Sequence, residues 1–87
     1  MDYTIDNYRD MAIEYRTTAM NVLSNIMRKE KLVAESDLPQ QYKNELKEEI
    51  NSLRNSYNSL IDLEMIMIEK MEEMKKKRAE TQKAKTD

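Results

Sequence analysis

Residues 46–74 read LKEEINSLRNSYNSLIDLEMIMIEKMEEM. Apolar side chains recur at Leu46, Ile50, Leu53, Tyr57, Leu60, Met67, Met71 and Met74, stepping by four and three, with Glu64 as a polar interruption. A four-three step held in phase over this length is a heptad seam, the pattern by which one helix lies along another. It predicts a long α-helix and a helical neighbour for it. It carries no chemistry.

Toward the N-terminus a second stripe runs through Tyr8, Ala12, Tyr15, Ala19, Val22, Ile26 and, past Lys29, Val33, flanked by Met11, Met20, Leu23 and Met27. This predicts an amphipathic helix over 4–33, capped by Thr4 or Asp6. Between the stripes lies Ala34-Glu35-Ser36-Asp37-Leu38-Pro39. Proline in a helix interior loses a hydrogen bond and clashes with the preceding turn but is tolerated in a first turn, so the chain is expected to reverse over 34–38. Asp37 as cap with Gln40 three residues on reads as a capping box. The second helix is then expected over 38–80, closing a single two-helix domain of residues 1–80, with a polar basic tail over 81–87. Asn51, Ser52, Asn55, Ser56, Asn58 and Ser59 are mediocre helix formers. A break there would give three shorter helices. No Gly or Pro marks the spot and the seam keeps phase through it, which favours two.

The expected fold class is all-α: an antiparallel, coiled-coil-like helical hairpin that assembles as a dimer into a four-helix bundle. A five-residue connection sets Ala12 opposite Leu60, Tyr15 opposite Tyr57, Ala19 opposite Leu53, Val22 opposite Ile50 and Ile26 opposite Leu46, small against large as interdigitation prefers. The same register brings Tyr8 to Glu64, where a phenol–carboxylate hydrogen bond would satisfy the acid. It also opposes Lys29 to Lys43, where the seam is expected to splay.

Composition narrows the function. The 87 residues include no Gly, one Pro, no Cys and no His, and 37% of them are charged. Absence of Gly argues against hairpin turns and bulges, hence against sheet. Without His or Cys the commonest general base, the thiol nucleophile and most transition-metal ligands are missing, and the Glu-x-x-His motif of bundle di-iron sites cannot be built. The acidic runs Glu45, Glu48, Glu49 and Glu69, Glu72, Glu73 read as solvated helix faces rather than ligands for a hard cation. No enzyme, no cofactor, no metal and no catalytic residue is expected. No charged-then-apolar leader and no apolar run near the ~20 residues of a membrane span occurs, so a cytoplasmic protein is expected.

Two features point outward. From Leu60 to Met71 the second helix is apolar nearly all round, more than one neighbour can cover. In the register above, Met71 and Met74 would also overhang the first helix. The expected protein interface is therefore Ile61, Met65, Ile66, Ile68, Met71 and Met74, with a second copy or another helical protein as partner. The basic cluster Lys75, Lys76, Lys77 and Arg78 complements the negative end of the helix dipole and is a possible polyanion contact. No aromatic side chain interleaves with it and the segment before it is acidic, so nucleic acid is the weaker partner. In size, acidity and hairpin pattern the chain is similar to small bacterial secretion chaperones and to phage or mobile-element accessory proteins, a likeness of architecture that rests on no motif. It implies a small chaperone, assembly factor or inhibitor acting by helix-in-groove contact. The competing expectations are an accessory factor that touches nucleic acid or an anionic surface through its basic tail, and a structural coiled-coil spacer.

Overall fold

A computed structural model describes residues 3–35 and 37–85, with side chains described as far as Glu80. Two helices account for almost all of it: α1, Ile5–Glu35, and α2, Gln40–Lys85. They fold back on each other into a rod of 73 × 19 × 16 Å, whose long axis is the length of α2 at about 1.5 Å per residue. Residues 51–59 pass through α2 without a break. The weak propensity of its Asn and Ser residues is overridden by an unbroken apolar seam on the buried side.

The start of α1 is set by local chemistry. Thr4 Oγ1 accepts a hydrogen bond from the Asn7 backbone N–H (3.2 Å), and the Thr4 N–H donates back to Asn7 Oδ1 (3.0 Å). This is a capping box with Asn in the position usual for Glu or Gln. Tyr3, just before the cap, meets Tyr8 edge to face with ring centroids 5.6 Å apart, the hydrophobic staple that fixes the entry of the chain. Tyr8 therefore packs locally and does not serve Glu64.

The start of α2 departs from the expected capping box. The Lys43 N–H donates to the Pro39 carbonyl (3.2 Å), so Pro39 occupies the cap and not the first turn. Gln40 Nε2 donates forward to Asn44 Oδ1 (3.0 Å), not back toward Asp37. Proline fits here because a cap residue has no intrahelical N–H bond to lose. Relative to expectation, α1 runs two residues further and α2 begins two residues later. α2 also continues past Glu80 to Lys85, since no breaker stops it and its cations favour the helix C-terminus.

The seam itself is as read from the spacing. Ala12, Ala19 and Ile26 on α1 and Ile50 on α2 are buried, and Tyr15, Val22, Val33, Leu46, Leu53, Tyr57, Leu60, Met67, Met71 and Met74 are half-buried. The register is different. Arg16 lies beside Glu64 (3.9 Å), Lys29 Nζ donates to Glu49 Oε2 (2.7 Å), and Arg54 donates to Glu30. The first two pairings displace α2 by about one heptad from the expected alignment, and the third, reached by the long Arg54 side chain, lies further in the same direction. The shift keeps the steric rule, since it brings Ala19 level with Leu60 and Ala12 level with Met67. It replaces the Lys29–Lys43 repulsion with an ion pair and gives the half-buried Glu64 a guanidinium. The alternation of small and large does not distinguish the two alignments, whereas the ion pairs and the cover that the shift gives Met71 and Met74 do.

Candidate interaction surface

The shifted register decides which apolar side chains the hairpin covers. At the end away from the turn, Thr4, Ile5 and Arg9 share a crevice with Lys75, Arg78 and Ala79. α1 thus covers α2 as far as Ala79, and Met71 and Met74 fall within the seam and not beyond it. Of the six interface residues expected from sequence, these two belong to the hairpin's own packing. Ile61 is half-buried, and Met65 (57% exposed), Ile66 and Ile68 face solvent.

The crevices at the two ends identify one side of the hairpin. Near the open end Asp6 and Arg9 of α1 lie on the same side as Lys75 and Ala79 of α2. Near the turn Glu30 and Ala34 of α1 lie on the same side as Lys47, Asn51 and Arg54 of α2. Seven-residue steps stay on one side of a two-helix seam. Between the two ends such steps lead from Asp6 through Ile13, Met20 and Met27 to Ala34, and from Arg9 through Arg16 and Leu23 to Glu30. On α2 they lead from Arg54 through Ile61 and Ile68 to Lys75, and from Asn51 through Asn58, Met65 and Glu72 to Ala79.

One broad face therefore carries apolar stripes from both helices. Ile13 is 56% exposed, Met20 42% and Met27 62%, and Leu23 is half-buried beside them. Across the seam, at the level of Ile13 to Met20, stand Ile61, Met65 and Ile68. The sequence reading took Met20, Leu23 and Met27 as flanks of the core stripe and passed over Ile13. The seven-residue spacing of 13, 20 and 27 is the signal that separates them from the seam. Ile66 lies on the opposite side with Leu63, among polar neighbours such as Ser59, Lys70 and Glu73.

The rims of the broad face are charged with both signs. Arg9 pairs with Asp6 (3.3 Å) and Lys75 with Glu72 (3.8 Å) at one end, and Glu30 with Arg54 toward the other. Lys76, Lys77 and Arg78 stand exposed on the last described turns of α2, with Glu72 and Glu73 just before them. Among the described residues no group of three or more carboxylates converges to hold a metal ion, and no helix is long and apolar enough to cross a membrane. No family model matches the chain, and no curated protein or solved structure matches it either.

Proposed function

We propose that the chain is a non-enzymatic protein–protein interaction module that works by laying the two-helix apolar face against a helical surface. The supporting observation is that Ile13, Met20 and Met27 on α1 and Met65 and Ile68 on α2 are all exposed on one side of the seam. Large apolar side chains scattered singly over a surface need no explanation, but a contiguous patch rimmed by charge is the usual form of a binding site. Methionine suits such a surface because its flexible, polarisable side chain adapts to the partner. A bundle of four helices, two from each side of the contact, is the natural product of joining a two-helix face to another helical face. Chaperone, assembly factor and inhibitor are all roles such a module fills, and an intracellular setting suits a chain without cysteine. A polyanion role for Lys75, Lys76, Lys77 and Arg78 draws less support, because carboxylates at Asp6, Glu72 and Glu73 stand among or beside them.

The test is photo-crosslinking in living cells with a light-activated residue placed singly at Met20 or Met65 on the broad face, or at Glu45 or Ser59 on the opposite side. Protein adducts, whether with a second copy or with another chain, are expected from the first pair and not from the second. If positions 20 and 65 yield no protein adduct, or no more than 45 and 59, the proposal fails.

A further inference from the structure

Resting on the interaction reading above, we infer that the occupant of the broad face is a second copy of this chain, packed with the two turns at the same end of the bundle and the two-fold axis parallel to the helices. Three observations carry this.

The first is area. The chain exposes 7112 Å², whereas a compact monomer of 10.4 kDa exposes about 5400 Å². The face over α1, about 46 Å long at 1.5 Å per residue and 19 Å wide, offers on the order of 900 Å². A stable interface takes about 800 Å² from each partner. One further hairpin covers this face.

The second is the level of the apolar residues. A two-fold axis along the bundle sets α1 of one copy over α2 of the other at equal height. Ile13 then meets Met65 and Ile68 of the second copy and Met20 meets its Ile61, while Met27 alone of the two stripes lies level with polar residues, Asn51 and Arg54. A two-fold axis across the bundle sets α2 over α2, head to tail. About the midpoint of the hairpin it drives Ile61, Met65 and Ile68 onto Asn58, Arg54 and Asn51. The α1 stripe is centred near Met20 and the α2 stripe near Met65, about one heptad nearer the open end. A crosswise axis that matches the α1 stripe to itself therefore leaves all three α2 residues on polar ones, whereas the lengthwise axis leaves only Met27 so.

The third is charge. At the open end the lengthwise axis brings Arg9 to within about half a turn of Glu72 of the second copy and sets Asp6 between its Glu72 and Lys75. Arg9 gains an acid across the interface, and the pairs now made within one helix can be shared across it. Complementary rims of this kind fix orientation more than they add affinity.

The chain contains no cysteine, so Asp37→Cys in the exposed turn gives a unique spin-label site. The experiment combines light scattering on the purified full chain with inter-label distance measurement. The expected result is a mass twice that of one chain and a label-to-label distance of roughly 20–30 Å, the width of a four-helix bundle of ~10 Å helices. Crosswise packing would place the labels beyond about 45 Å, the length of the shared hairpin. Ile13→Glu and Met65→Glu should each halve the mass while the helical circular dichroism persists. As a gentler variant, Arg9→Glu should weaken the dimer at least several-fold, and Arg9→Glu combined with Glu72→Arg should recover it. A wild-type chain that is monomeric at ~10 μM and at ~1 mM alike overturns the inference, and in-cell adducts with another protein would then leave the interaction reading standing. A dimer with distant labels, or one indifferent to Ile13→Glu, Met65→Glu and Arg9→Glu, overturns the packing.

Discussion

Ile50→Ala tests whether the seam holds the hairpin together. Ile50 is 6% exposed, the α2 member of the buried set, and the shifted register brings it level with Lys29 between Val33 and Ile26. Truncation removes three buried carbons, worth about 2.4 kcal/mol at ~0.8 kcal/mol each. Alanine returns about 0.4 kcal/mol of helix propensity. A cavity adds to the loss, but a seam open at both edges closes more readily than a globular core. The expected net cost is about 2–3 kcal/mol, equivalent to a fall in Tm of the order of 10–20 °C for a domain of this size. Urea unfolding followed by helical circular dichroism, at one fixed protein concentration, measures it. Ile66→Ala is the control, because Ile66 is 43% exposed on the opposite side of the hairpin. There the propensity gain offsets most of the lost burial, and the expected change is about 0.5 kcal/mol or less. If Ile50→Ala costs no more than Ile66→Ala, the seam does not hold the hairpin and the packing described here is wrong.

Two further outcomes follow from the register. A double-mutant cycle on Lys29 and Glu49 should give a coupling of about 0.2–1 kcal/mol, as partly exposed ion pairs do, and a cycle on Lys29 and Lys43 should give none. Coupling confined to the second pair would restore the alignment one heptad away. Glu64→Leu replaces a seam carboxylate whose side chain is 15% exposed beside Arg16. It should raise the urea midpoint by an amount equivalent to about 1–2 kcal/mol, while mixed oligomers appear in light scattering because a polar seam residue specifies register at a cost in stability. A lower midpoint would mean that the Arg16–Glu64 contact contributes net stability.

Much of the fold was legible because helical periodicity is a local property. The four-three step from Leu46 to Met74 needed no knowledge of the partner, and Pro39 placed the reversal. Thr4 was legible as a cap because its hydroxyl acts within one turn. The candidate surface was half legible. Ile61, Met65, Ile66 and Ile68 stood out as excess apolar residues on one helix, but which of them shares a side with α1's stripe depends on how the two helices face each other. Ile66 parted from Met65 on that ground, and Ile13 joined it.

The chain's order therefore determines two helices, their amphipathic faces and the hinge between them, since these follow from backbone sterics and spacing within a few turns. Tertiary structure decided the alignment. Heptad seams slide by seven residues with little steric penalty, because each alignment sets apolar against apolar along most of the seam. What separates them is decided between residues far apart in the chain: the pairing of Lys29 with Glu49, Arg16 with Glu64 and Glu30 with Arg54, and the cover that the first turns of α1 give Met71 and Met74. That slip of one heptad moved Met71 and Met74 from an exposed overhang into the seam, and left the apolar face shared by both helices as the surface for a partner.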